Sequence, residues 1–195
     1  MKRRKSPGLK CLLAMCLGLI LLASAAWAGS PPAVGESLPD FSLAAPQDGG
    51  ERSYLGLSFF SRSFKIPELK SQVVLIEIFS MYCPYCQGDA PHVNALYGKI
   101  EADPALKGKV KLVGIGVGNS PYEVGVFKKK YNIPFPLFSD GDFKIHKLVG
   151  EVRTPYFIGV KIYPDGTHRV FFSRLGVLGN VDQFLADIVK LSGVK

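Results

Sequence analysis

Two cysteines three positions apart, in the segment Cys83-Pro84-Tyr85-Cys86, are the residues of this chain best suited to chemistry. They follow a buried-type β strand at 73–79 and stand where a helix is expected to begin. Thiols at positions i and i+3 of a first helical turn can close a disulfide with little movement. The first thiol faces the unpaired N–H groups of the helix end, which stabilise a thiolate and lower its pKa. The pair therefore predicts redox chemistry, with Cys83 attacking and Cys86 resolving the mixed disulfide.

Three other kinds of site could contain such a cysteine pair. A purely structural disulfide is one, although closing so short a loop contributes only about 2 kcal/mol. A zinc site needs two more ligands, and His92, His146 and His168 are scattered with no second CxxC nearby. A c-type haem site requires His directly after the second cysteine, where Gln87 stands. The residues favour the redox explanation, and we expect no metal and no bound cofactor beyond the cysteine pair.

Two carboxylates lie close to the cysteines in sequence. Glu77 interrupts the apolar strand, where an unpaired ionised carboxylate costs several kcal/mol. Such a carboxyl has a raised pKa and can take the proton from Cys86 as that thiol attacks; the alternative is an edge position that reaches solvent. Asp89 is three residues after Cys86, on the same helical face, and either tunes the pair or simply favours the helix start.

A Thr-Pro pair later in the chain is a third candidate for the site. Thr154-Pro155 stands where a strand is expected to begin. A cis X-Pro bond there would present backbone atoms beside the cysteines.

The N-terminus has the pattern of a Sec-type signal peptide. Residues 2–10 are basic, and the uncharged apolar run 11–28 ends in Ala-Trp-Ala, which predicts export with cleavage after Ala28. The alternative is an uncleaved N-terminal membrane anchor. Because 1–28 contains five Lys and Arg and no acid, the mature chain has 19 basic against 16 acidic residues, a net charge of only +3. Most of the net positive charge therefore belongs to the signal segment, and we expect no nucleic-acid partner.

The mature chain is expected to be one α/β domain with a central mixed sheet. Residues 29–38 are predicted to be a flexible tether, and 39–193 the domain. The predicted strands are 41–44, 52–57, 73–79, 110–116, 156–163 and 169–173, and the predicted helices are 84–101, 121–131 and one after Asn180 or Asp182. Helical crossovers make the middle strands parallel, whereas the last two form a hairpin.

Four motifs resemble one family. They are PDFSL at 39–43, VVLIEIFSMYCPYCQGDAP at 73–91, YNIPFPLFSD at 131–140 and TPYFIGVKIYPDGTHR at 154–169. Over about 35–193 the chain resembles exported thiol–disulfide oxidoreductases of the TlpA/ResA type, in the thioredoxin-like AhpC/TSA redoxin superfamily. The resemblance implies a three-layer α/β/α fold with an N-terminal strand extension. The separation of 69 positions from Cys86 to Pro155 implies an inserted βα element as well.

The resemblance also implies roles for individual residues. The family pattern C-x-x-C-x-x-[DE]-x-P is matched by Cys83, Cys86, Asp89 and Pro91. Glu77 occupies the place of a buried acid that assists the resolving cysteine. The resemblance further implies that five residues bind substrate around the cysteine pair: Thr154 and the cis-proline Pro155, and Tyr82, Pro84 and Tyr85 at the helix start.

These features together predict an exported, monomeric enzyme that exchanges its dithiol or disulfide with protein partners, acting as a reductase. An exported or membrane redox protein would be its electron partner. One alternative is a peroxiredoxin-like peroxidase using Cys83; Ser80 and Arg153 fit that branch, whereas Ile76 stands where it has Pro. The other alternative is a binding module in which the disulfide is static.

Overall fold

The computed structural model describes residues 29–194, so the predicted signal peptide at 1–28 lies outside the described residues. The elements follow in chain order: β1 (Leu43–Ala44), α1 (Gly49–Leu55), β2 (Ser63–Phe64), a 3-10 turn (Ile66–Glu68), β3 (Val73–Phe79), α2 (Pro84–Ala102), β4 (Val110–Val117), α3 (Pro121–Lys130), β5 (Leu137–Asp140), α4 (Lys144–Leu148), β6 (Tyr156–Ile162), β7 (His168–Leu175) and α5 (Val181–Ser192). None of the helices within this range is long and apolar enough to cross a membrane.

A five-stranded mixed sheet in the order β5-β4-β3-β6-β7 forms the middle layer. Strands β3, β4 and β5 run parallel, and β6 and β7 are antiparallel to their neighbours. All seven residues of β3 are buried because it lies at the centre with helices on both faces. The carboxyl end of β3 leads directly to α2, so the cysteine pair lies at the edge of the sheet where the parallel strands end.

Helices cover both faces of the sheet, which gives the three layers. On one face, α2, α3 and α5 contribute apolar side chains to one core, including Val93, Phe127 and Phe184. On the other face, α1, α4 and the β1–β2 pair contribute to a second core, including Leu55 and Ile145. The predicted thioredoxin-like α/β class, with its N-terminal strand extension, is therefore confirmed.

Between α3 and β6 the chain forms the inserted βα element, which is β5 followed by α4. Individually these two elements were not predicted, because both are short. The buried carboxylate of Asp140 starts α4 by accepting hydrogen bonds from the N–H groups of Ile145 (3.0 Å) and His146 (2.8 Å). The polar sequence of 139–142 is the signal that indicates this helix start.

The strand predicted at 52–57 is wrong, because residues 52–55 belong to helix α1 and the helix ends at Gly56. The turn-like residues before it cap a helix: the Asp48 side chain accepts from the N–H of Glu51 at 2.8 Å. The helix ends at Gly56, whose φ of 70° is the left-handed conformation that glycine adopts readily. Local capping therefore makes these turn-like residues the start of a helix.

The segment 29–38 also differs from the flexible tether predicted for it, because it lies against the domain. Gly35 N–H donates to the Val170 carbonyl of β7, and Val170 N–H donates to the Glu36 carbonyl, each at 2.8 Å. Pro32 and Leu38 are buried. Main-chain pairing and these two apolar contacts hold a segment whose composition alone gave no sign of structure.

Candidate active site

The two cysteines lie at the start of α2 and are free thiols. Cys83 is the N-cap residue and Pro84 is the first helical residue, a position at which proline removes no helical hydrogen bond. Cys83 is partly exposed, whereas Cys86, one turn into the helix, is completely buried. The helix start thus presents one thiol to solvent and holds the other in the core.

The surroundings shift the pKa values of the two thiols in opposite directions. Partial burial alone would raise the pKa of Cys83, but hydrogen bonds with the side chain of Thr154, the Cys86 thiol and the N–H groups of Cys86 and Tyr85 lower it below the usual thiol value. Burial raises the pKa of Cys86, and the neighbouring charges of Glu77 and Cys83 add to this shift. Cys83 is therefore the thiol that ionises first.

Glu77 is buried beneath the cysteine pair, with 4% of its surface exposed. It lies on β3 between Gly114 of β4 and Phe157 of β6, and the alternation along β3 directs it to the face covered by α2. Burial, with smaller contributions from the charges of Asp89 and Cys83, raises the pKa of Glu77 to about 8. The solvent-exposed edge position considered above is therefore wrong.

Asp89 is a second buried carboxylate, and it has two partners. Its Oδ2 accepts from the N–H of Leu178 at 2.7 Å, and its Oδ1 lies 3.2 Å from Nδ1 of His92. The first bond ties α2 to the loop before α5. Asp89 is also close enough to Glu77 for its charge to raise that residue's pKa, so it combines a structural contact with an electrostatic one.

The Thr154-Pro155 peptide bond is cis and lies beside Cys83. The Thr154 carbonyl accepts a hydrogen bond from the Cys83 thiol, with 3.3 Å between Sγ and the oxygen. The Pro155 carbonyl in turn accepts from the N–H of Gly176 at 2.9 Å, which holds this corner against the end of β7. The structure thus brings the third sequence candidate into contact with the first.

The exposed residues around Cys83 form a mostly apolar surface. Tyr82 and Tyr85 are 63% and 71% exposed, and Pro84 is exposed between them. The hydroxyl of Tyr82 donates to the carboxylate of Glu123 on α3. Tyr85 also borders a groove of about 420 Å³ that runs past Pro155. All of the predicted site residues therefore lie around one end of α2.

One buried residue of the site was missed by the sequence analysis. Asn119, at the end of β4, is fully buried, and its Oδ1 accepts from the N–H of Met81 at 2.8 Å. The side chain of Gln87 donates to the Met81 carbonyl at 2.7 Å, so both main-chain groups of this loop residue are fixed. The available signal was a polar residue two positions after an apolar strand, since the ends of parallel strands converge at one edge.

No metal site emerges from the histidines: in the described part of the chain, no three His, Cys, Asp or Glu residues are grouped to hold an ion. His92 is exposed on α2 beside Asp89, and His168 is on β7, away from the cysteines.

The fold is that of thioredoxin-like proteins. A secreted Mycobacterium tuberculosis disulfide oxidoreductase, described as homologous to E. coli DsbE, superposes with a TM-score of 0.53 at 19% identity, covering 77% of this chain and 95% of its own. The thioredoxin domain of a Bacteroides vulgatus thiol–disulfide oxidoreductase gives a TM-score of 0.58 at 14% identity, covering 84% of this chain and 99% of that one.

Within that fold class the chain belongs to the AhpC/TSA family, whose model matches residues 34–172. It is 24% identical over 157 residues to the thiol–disulfide oxidoreductase ResA of Oceanobacillus iheyensis, covering 80% of this chain and 72% of the relative. The ResA of Geobacillus thermodenitrificans is 22% identical over 149 residues, 75% of each chain. The family resemblance predicted from the motifs is confirmed.

Proposed function

We propose that this protein is a thiol–disulfide oxidoreductase in which Cys83 and Cys86 exchange electrons with protein partners. The observation that carries the proposal is the pairing of a partly exposed thiol of lowered pKa with a buried thiol of raised pKa one turn away. The ResA relatives are named for the same activity. The cysteine pair needs no other bound cofactor for this chemistry.

In the first step, the Cys83 thiolate attacks one sulfur of a partner disulfide. A new S–S bond forms between Cys83 and the partner, the partner's own S–S bond breaks, and its second sulfur leaves as a thiolate that takes a proton from solvent. The Thr154 carbonyl and the cis Pro155 lie beside Cys83 Sγ, where they can align the incoming main chain. A lowered Cys83 pKa increases the fraction of the attacking thiolate at a given pH.

In the second step, Cys86 releases the partner. The Cys86 thiol loses its proton and attacks Cys83 Sγ, the mixed disulfide breaks, and the partner leaves with both of its sulfurs reduced. A base is needed because burial raises the Cys86 pKa. Glu77, with a pKa of about 8 beneath the pair, can take that proton when ionised and return it when the disulfide is reduced again.

The direction that we propose is reduction of the partner. Each turnover leaves the chain as a Cys83–Cys86 disulfide, two electrons more oxidised than the dithiol. A dithiol protein, exported or membrane-bound, must then supply two electrons and two protons. Export itself rests on the signal pattern at 1–28.

Trapping of mixed disulfides tests the assigned roles. The Cys86→Ser variant should form a stable mixed disulfide with a peptide disulfide, because nothing resolves it; it would be seen as a mass shift that dithiothreitol removes. The matched Cys83→Ser variant should trap nothing, because Cys86 is buried. Equal trapping by both variants, or Cys83-dependent consumption of peroxide without any disulfide exchange, would overturn the proposal.

A further inference from the structure

Two grooves flank Cys83 and have one charged residue in common. The first, which we call the Tyr82 groove, is about 450 Å³ and is lined by Tyr82, Phe143, His146, Arg153 and Thr154 among others. The second, the Tyr85 groove, runs on the other side past Pro155 and also contains Arg153. A polypeptide segment that crosses the thiol and enters either groove therefore comes close to Arg153.

The charge of Arg153 is not neutralised locally. Neither groove is lined by an acidic residue, and among the described residues no carboxylate forms an ion pair with Arg153. The carboxylate of Glu123, beyond Tyr82, is already held by the Tyr82 hydroxyl and by the N–H and hydroxyl of Ser120. Arg153 is exposed and thus available to a negatively charged ligand.

The main chain on both sides of Arg153 is fixed. His146 places a ring nitrogen 2.9 Å from the Val152 carbonyl oxygen, so the residue before Arg153 is held by α4. The residue after it, Thr154, has its carbonyl 3.3 Å from Cys83 Sγ. The Arg153 side chain is therefore attached one residue before the one whose carbonyl contacts the Cys83 thiol. Its planar guanidinium can donate two parallel hydrogen bonds to a carboxylate.

We propose that Arg153 selects protein partners in which an acidic residue lies next to the cysteine that reacts with Cys83. This inference rests on the proposed function and adds the chemical class of the partner segment. An ion pair at a solvent-accessible groove is modest in strength and screened by salt. We therefore expect kcat/KM for a substrate with an acidic neighbour to exceed that for a neutral one by roughly 2- to 5-fold at low ionic strength, with the difference decreasing as salt is added.

The test uses peptide disulfides that differ at one residue beside the cysteine, which is Glu, Gln or Lys. Their reduction by the full chain, recycled by excess dithiothreitol and corrected for direct reduction, gives kcat/KM for each peptide. The variants are Arg153→Gln, which removes the charge, and Arg62→Gln, which removes an exposed arginine that lines neither groove. His146→Gln tests whether anchoring of the Val152 carbonyl contributes.

The expected order is Glu above Gln above Lys for the natural chain and for Arg62→Gln, with little discrimination left in Arg153→Gln. Equal rates for all three peptides in the natural chain would overturn this inference and leave the exchange reaction standing. Uniformly slower exchange in Arg153→Gln with the preference intact would also overturn it, because Arg153 would then act on the thiol. If no peptide is reduced at all, the proposed function itself fails.

Discussion

The surface around Cys83 and the pocket around Cys86 lie one helical turn apart, yet they shift the pKa of a cysteine thiol in opposite directions. At the surface, hydrogen bonds at the helix start and from Thr154 outweigh partial burial and lower the thiol pKa. In the pocket, complete burial and the neighbouring carboxyl of Glu77 raise it. The difference shows that hydrogen bonds from Thr154 and from the helix start favour the thiolate of the nucleophile, whereas exclusion of water keeps the resolving thiol protonated.

The largest expected difference between the two regions is in alkylation. Cys83 should react with iodoacetamide at neutral pH at least about 10³-fold faster than Cys86, because it is both more accessible and more ionised. Peptide mass spectrometry over time would give both rates, with unfolded protein as the control in which the cysteines become similar. Comparable rates in the folded, reduced protein would remove the distinction between surface and pocket.

The Glu77 carboxyl should make the pocket's contribution to stability depend on pH. Its pKa is about 8 in the folded protein against an ordinary value of 4.5, so unfolding releases a proton between these pH values and stability falls as pH rises through them. The Glu77→Gln variant lacks this loss. Its free energy of unfolding, relative to that of the natural chain, should therefore rise by on the order of 3–5 kcal/mol as the pH is raised from 4 to 9. Urea unfolding of the reduced proteins measures this, with the exposed Glu151→Gln as a control that should show no such gain.

Asp89 should matter less than Glu77, and mainly through its hydrogen bond. Asp89→Ala leaves the N–H of Leu178 without its acceptor and should lower the free energy of unfolding by about 1–3 kcal/mol. Asp89→Asn keeps an acceptor oxygen and should recover most of this loss, while removal of the negative charge lowers the Glu77 pKa from about 8. Equal destabilisation by both variants would show that the charge is what holds the loop.

The smallest effect is expected at the surface. Tyr82→Phe removes only the hydroxyl that donates to Glu123, and both side chains are accessible to water. Thermal melts should not resolve a change, and the rate of Cys83 alkylation should stay within about threefold. A large loss of stability would mean that the surface supports the fold as much as the pocket does.

The sequence was sufficient to predict the parts of the site that depend on neighbouring residues. The buried strand β3, the helix start at Pro84 and the unusual Glu77 are all local patterns, and the structure places them together at one end of α2. The contacts that were not predicted join distant parts of the chain. Asn119 reaches Met81 across 38 residues, and Asp89 reaches Leu178 across 89. No local pattern indicates which N–H will meet a given side chain after folding.

The error at α1 has a different origin. Residues 47–50, Gln-Asp-Gly-Gly, are typical of a turn between two strands, but an aspartate at such a position can also cap a helix. The helix forms because Asp48 caps it and because Leu55 packs into the core, and the second reason depends on tertiary structure. The segment 29–38 is a similar case, since its bonds depend on β7.

The pairing of Gly35 and Glu36 with Val170 covers part of the edge of the central sheet. Strand β7 is at one end of the sheet, and an end strand with free main-chain groups can recruit strands from other molecules. The N-terminal segment occupies the outward-facing N–H and carbonyl of Val170, so an added strand would first have to displace it. Two residues of a segment without regular secondary structure thereby make this part of the strand edge less accessible to another chain.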